Sequence, residues 1–294
     1  MNDASRVPVA QGSASERRLE RERAKRARDR RGLAIAGIST IVVIGGLAAL
    51  VLTSSGWPAV RETFFNATIF KQSFPEVAEG FWLDVRLFIV VEVAVLALGL
   101  LVALIRISSA PALFPIRLLG TIYVDVFRGI PTILLVYLVG FGIPALAQAD
   151  PDGSGSALSW LPTNPIVLGA IALTLSYSAY VSEVYRAGLR SIDPGQRQAA
   201  LAIGLTEAQS MRHVVLPQAV RRVGPPLLND FIALQKDVAL ISIIGVSAEA
   251  FRIAQIQAAS EFNYTPLLAA ALCYMAVTIP LARLLDRWER GKVR

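Results

Sequence analysis

Apolar residues in this chain come in long runs rather than in the alternating or one-face patterns of soluble elements. Six stretches stand out, at residues 33–52, 83–105, 116–143, 166–185, 238–251 with its flanks, and 266–285. About 20 helical residues cover a hydrocarbon layer about 30 Å thick, and all but the fifth stretch approach or exceed that length. The fifth is short and polar at both ends, so it is expected to begin earlier, near Leu227, or to be tilted or partly re-entrant. The predicted fold class is therefore an all-α membrane protein with about six transmembrane helices.

Between the fourth and fifth stretches lies a polar, turn-rich insert. Asp193 is suited to cap a helix, Pro194 to its first position, and Gln196 follows three after the cap as in a capping box. Ala199, Ala200 and Ala202 favour helix strongly, and Gly204 is the residue type that most readily ends one. Thr206 and Gln209 mark a second start. That second helix is expected to stop before Pro217, because the residue preceding a proline is pushed out of the α region. Helix, tight bend, helix is more than a connector needs; it is the form of a docking element for another protein.

Charge then orients the spans. Of 29 Lys and Arg, only Arg61, Lys71 and Arg252 fall in the segments that lie outside if the N-terminus is cytoplasmic, and Arg86 and Arg128 lie within spans. The remainder sit at 1–32, 106–117, 186–237 and 283–294, as the positive-inside rule predicts for both termini in the cytoplasm. The net charge of +7 reads as a topology signal, not a nucleic-acid footprint. The expected organisation is a basic cytoplasmic tail (1–32), an N-terminal span (33–52), an extracytoplasmic loop (53–82), a transmembrane domain (83–285) containing the insert 187–226, and a cytoplasmic tail (286–294). The first span is expected to stay uncleaved, since it is longer than a signal-peptide apolar region.

Soluble-site chemistry is sparse. Cys273 is alone in an apolar span and His213 is the only histidine, so neither a disulfide within the chain nor a histidine metal site is expected. No phosphate-binding Gly-x-x-x-x-Gly-Lys-Ser/Thr loop occurs. If the protein uses ATP, the hydrolysing site is on another chain, and no enzymatic activity of its own is expected.

The insert and its surroundings resemble the integral-membrane permease subunit of ATP-binding-cassette importers, in the polar amino acid branch. That family's cytoplasmic signature reads Glu-Ala-Ala-x-x-x-Gly and then Ile-x-Leu-Pro. Here it stands as Gln198-Ala199-Ala200, Gly204 and Val214-Val215-Leu216-Pro217. Tyr180-Val181-Ser182-Glu183, Pro225-Pro226-Leu227-x-Asn229, Lys236-Asp237 and Arg128-Gly129-Ile130-Pro131 extend the likeness over roughly residues 80 to 285. Two departures are Gln198 in place of glutamate and Val238-Ala239 in place of Thr-Ser.

The resemblance implies a five-helix importer core plus one extra N-terminal span, in a bacterial-type plasma (inner) membrane. It implies that Gln198, Ala199, Ala200, Gly204, Leu216 and Pro217 couple the spans to ATPase subunits. The implied partners are two ATP-binding subunits, a second permease (the same chain or a sibling), an extracytoplasmic solute-binding protein and membrane lipid. ATP and Mg would belong to the ATPase subunits, with no cofactor on this chain. Glu92, Asp125, Arg128 and Glu183, charged and in or beside spans, are the candidate translocation path, since an intramembrane charge needs a partner, a cavity or a substrate. Two rival readings stand beside this one: an ion-coupled secondary transporter, and a non-transporting membrane scaffold.

Overall fold

The computed structural model describes residues 14–108, 110–149 and 158–291, and side chains are described from Gly32 to Trp288 except at Ala34 within those ranges. Residues 1–13 and 292–294 of the two expected tails lie outside the described residues. The described residues form helices α1 (Ala14–Leu52), α2 (Trp57–Phe64), α3 (Ala67–Ile107), α4 (Phe114–Gly129), α5 (Thr132–Gln148) and α6 (Pro165–Arg190). They continue with α7 (Pro194–Ala202), α8 (Glu207–Ser210), α9 (Leu216–Asp237), α10 (Ala250–Ser260) and α11 (Thr265–Gly291). The chain divides into two compact units, Met1–Arg61 and Glu62–Arg294.

In the first unit α1 carries the expected N-terminal span. Its residues from Ile35 to Leu52 are all exposed, as in a helix whose apolar surface meets hydrocarbon on every side.

In the second unit α3 and α6 form the central pair. The buried residues of α3 recur at helical spacing, Val77, Gly80, Asp84, Phe88, Val91, Val95, Gly99 and Val102. Phe88, Val91 and Val95 pack with Leu168, Leu173, Tyr177 and Val181 of α6, with Val136 and Val139 of α5, and with Leu234 of α9. Glycines set the close approaches: a Cβ on Gly99 would lie 2.7 Å from Val181 Cγ1, and one on Gly169 would lie 2.6 Å from Ile241 Cγ2. Small residues are what allow membrane helices to pack backbone to backbone.

Outside the 187–226 insert, the structure revises the sequence expectations in three places. Residues 67–82, expected as loop, are the first turns of α3, capped by the Asn66 side chain, which accepts from Thr68 and Ile69 N–H. Phe70, Val77 and Phe81 there pack on Ala250, Ala254, Ala269, Ala270 and Cys273, contacts that the charges and Pro75 of this stretch conceal in the sequence. The stretch 116–143 is two helices bent by 105°, because Ile130 turns extended (φ −94°, ψ 129°) ahead of Pro131, as residues before proline prefer. The stretch 238–251 is broken: 3₁₀ turns over Val238–Ile244, a left-handed Gly245 (φ 92°), then α10 capped by Glu249. Among the described residues four helices are long and apolar enough to cross a membrane, and five if the bent pair is one span.

Candidate coupling loop and translocation path

After α6 the Asp193 side chain accepts from Gly195 N–H at 2.7 Å and Pro194 starts α7. The capping box expected with Gln196 does not form; the Gln196 side chain instead accepts from Gln218 at 3.4 Å. The far end of α7 is a two-bond cap around Gly204 (φ 91°). Gly204 N–H donates to Leu201 O and Leu205 N–H to Ala200 O, the paired pattern of a Schellman motif. The second start does form its box, with Gln209 N–H on Thr206 Oγ1 at 3.3 Å and Thr206 N–H on Gln209 Oε1 at 2.9 Å.

The expected stop before Pro217 is absent. A π-helical stretch over Met211–Val215 carries α8 into α9, and Leu216 stays helical at φ −62°, ψ −43° with its N–H on Met211 O. The wider π turn makes room for the proline ring, and Pro217 stands in the first turn of α9, where a missing N–H costs little. The loop is thus continuous with a 22-residue helix. It is also tied to its surroundings: Ile192, Val215 and Ala219 form a small core, Arg222 donates to Ser191 O at 2.6 Å, and Arg197 pairs with Glu207 at 2.7 Å.

The six loop residues do not share one face. Ala200 is buried, while Gln198, Ala199, Gly204, Leu216 and Pro217 are exposed. Ile203, 81% exposed, joins the exposed set. Beside them lies a cavity of about 550 Å³ whose walls include Asp193, Arg197, Gln198, Leu201 and Met211.

The four path candidates separate as well. Arg128 and Glu183 line one cavity of about 830 Å³, together with Tyr180, Pro226 and Asp230. The Arg128 guanidinium lies over the Tyr180 ring, 5.3 Å from its centroid, and acts electrostatically on Asp230. Glu92, 9% exposed, is outside that lining and faces the same Asp230. Glu183 is already held by Arg106 and Arg186. Asp125 is exposed on α4, with no hydrogen bond or ion pair to the other three. Asp230 is what the sequence reading missed: it sits among the polar residues of α9, and only the meeting of α4, α6 and α9 gives it significance. Its Oδ2 is buried with no hydrogen-bond partner among the described residues. Val238, one of the two departures from the family pattern, is wholly buried in the core and so does not line the cavity.

A profile of the family described as "Binding-protein-dependent transport system inner membrane component" matches residues 96–294. The chain is similar to the arginine transport system permease protein ArtQ of Bacillus subtilis, 33% identical over 218 residues that cover 74% of this chain and 91% of that protein. It is also similar to the probable amino-acid ABC transporter permease protein PatM of Vibrio harveyi, 35% identical over 199 residues (67% and 82%). Among solved structures, an amino acid ABC transporter crystallised with histidines superposes with a TM-score of 0.63 at 32% identity, covering 74% of this chain and 94% of that one. The inward-facing MetNI methionine ABC transporter superposes at 0.54 with 20% identity, covering 74% and 96%, a likeness of fold.

Proposed function

The chain belongs to the family of binding-protein-dependent transport inner membrane components, and from that premise we propose that polar amino acids cross the membrane through the cavity between α4, α6 and α9. The protein is a multi-pass permease subunit of an amino acid ABC importer. It is not an enzyme: ATPase activity lies with partner subunits, and a binding protein supplies the solute.

The observation that carries the substrate reading is the pairing of opposite charges on one cavity. Arg128 offers a cation for an amino acid carboxylate. Asp230, with one buried oxygen lacking a hydrogen-bond partner among the described residues, offers an acceptor for the ammonium group. Charge-assisted hydrogen bonds of this kind are about twice as strong as neutral ones, and a zwitterion uses both without leaving a buried charge. Glu92 faces Asp230 as a like charge and is not assigned a substrate contact; Glu183, already doubly paired, serves structure.

The coupling reading rests on the exposed face formed by Gln198, Ala199, Ile203 and Gly204. Two ATP-binding subunits, with ATP and Mg, grip this face in a complex of two permeases, the same chain or a sibling. Because α7 is capped at both ends and α8 runs into α9, a push on the loop moves a long helix as a rigid body. That is the movement alternating access requires. In this arrangement both termini are cytoplasmic.

Affinity purification from native membranes tests the coupling half, comparing the intact chain with Gly204→Pro at equal expression. Recovery of a nucleotide-binding subunit with the intact chain and its loss from the variant is expected. Absence of any ATPase from the intact chain overturns the coupling role of the loop. Substrate contact is tested separately by the uptake experiment given in the Discussion.

A further inference from the structure

Away from the cavity and the loop, two carboxyl groups meet inside the domain with no ion pair to a cation among the described residues. Asp84 lies on α3 and is 2% exposed; Glu249 caps α10 and is 0% exposed. The Tyr274 hydroxyl on α11 lies 2.7 Å from Asp84 Oδ2 and 3.0 Å from Glu249 Oε1. The two carboxyl groups also act directly on each other.

The hydrogen-bond inventory does not close with both groups ionised. Glu249 is used as an acceptor on both oxygens, by Phe251 N–H and Arg252 N–H at 2.8 Å each. A phenol has one proton to donate, so Tyr274 cannot satisfy both carboxylates. Asp84 has Ala250 N–H and the Glu249 carboxyl beside it, but its Oδ1 is buried and makes no hydrogen bond of normal geometry among the described residues. Cations are directed elsewhere: the Arg252 guanidinium bonds Gln255, and Arg86 lies over the Trp82 ring, 5.4 Å from its centroid. On the same stretch of α3, Glu76 bonds Gln257 at 2.6 Å, and Lys71 and Glu79 are exposed. Cys273, beside Tyr274 on α11, packs among alanines and supplies no charge.

Two bare carboxylates in contact and out of water repel each other and lose hydration. We propose that Asp84 and Glu249 form a proton-binding site, in which one proton is held on Asp84 Oδ1 and shared with Glu249 while Tyr274 donates to the pair. Asp84 is then a neutral donor and Glu249 an ionised helix cap, so every polar atom of the pair has a partner. The proton pins α10 to α3 and α11. The contact is close: a Cβ on Gly80 would lie 2.9 Å from Ala250 N and 3.0 Å from Ala248 O. Loss of the proton to solvent leaves two negative charges at that joint. While it holds that proton the native joint binds one that two free carboxyl groups in the unfolded chain have already released, so stability falls as pH rises until the native site has released it too.

The test uses the complete transporter in lipid nanodiscs, comparing wild type with Asp84→Asn, which keeps an acceptor for Tyr274 and a donor for Glu249. Between about pH 6 and about pH 9.5, wild-type Tm is expected to fall by about 2–4 °C, the shift that a loss of roughly 1 kcal/mol produces in a domain of this size. Asp84→Asn should match wild type at neutral pH and lose that slope. Infrared difference spectra over the same range should show a carboxylic-acid C=O band lost from wild type and absent from the variant. A variant destabilised at neutral pH that keeps the wild-type slope overturns the proposal. So does a wild-type Tm at alkaline pH that rises with sodium at fixed ionic strength, since a metal cation would then fill the site. If Asp84→Asn does not assemble, the wild-type infrared titration decides alone, and a spectrum without a titrating buried acid overturns the proposal.

Discussion

Arg106 on α3 forms an ion pair with Glu183 on α6, and the Arg106 side chain is only 7% exposed. Glu183 has a second partner in Arg186 at 2.7 Å, whereas Arg106 has no acidic partner besides Glu183 among the described residues. The two deletions are therefore unequal. Glu183→Ala strands a buried guanidinium and is expected to cost about 3–5 kcal/mol. Arg106→Met leaves Glu183 paired with Arg186 and fills the space with an apolar chain, so it should cost less. Thermal unfolding of the two variants in detergent checks the order; equal losses would contradict it.

Gly204 has open space around it, with no atom beyond its own chain neighbours within 4 Å of where a Cβ would stand among the described residues, yet its φ is 91°. Gly204→Val therefore creates strain without a clash. A residue with a side chain costs about 1–2 kcal/mol in the left-handed region, and a β-branched one fits it poorly. The strain falls on the bend between α7 and α8, not on the core around α3 and α6. Transport-coupled ATP hydrolysis should drop severalfold while the Tm of the membrane domain changes little. A large fall in Tm with coupling intact would show the bend serves folding instead.

Arg128 and Asp230 share a cavity that Asp125 does not line. Arg128→Gln and Asp230→Asn should each raise the KM for amino acid uptake at least about tenfold, equivalent to about 1.4 kcal/mol, with basal ATPase activity retained. Asp125→Asn should be near normal. Unchanged uptake kinetics in both cavity variants would remove the substrate-contact role.

Gly99 lies under Val181, and a Cβ there would meet Val181 Cγ1 at 2.7 Å. Gly99→Ala should destabilise by about 1–3 kcal/mol through overpacking, and Val181→Ala in the same chain should recover part of the loss. The double-mutant cycle, read by thermal unfolding, separates a direct contact from two independent effects.

Features that depend on neighbours along the chain are legible in the sequence itself. The apolar stretches are long because a helix must cross a hydrocarbon layer about 30 Å thick, and length is a one-dimensional property. Asp193, Gly204 and Thr206 with Gln209 behave as their types dictate, because caps act over two to four residues. The half-formed box at Asp193 shows the limit of that reasoning, since Gln196 has a distant partner in Gln218.

Features that depend on distant contacts are settled only in three dimensions. Pro217 reads as a stop, but a π turn held by Val215 packing on Ile192 and Ala219 carries the helix through it. Residues 67–82 read as loop, but alanines and Cys273 far along the chain give that stretch a core to pack on. Asp230 directly follows the Pro225-Pro226-Leu227-x-Asn229 run without belonging to it, and its place opposite Arg128 comes from two helices about a hundred residues apart. Asp84, Glu249 and Tyr274 are separated in the same way, with 190 residues between the first and last. The sequence determined that this chain is a multi-span membrane protein with a marked helix–bend–helix insert, since span length and helix caps are local, and its motifs placed it among importer permeases by resemblance. Which charges face one another was decided by tertiary packing, because electrostatic energy depends on separation in space and on burial, and neither is encoded in order along the chain.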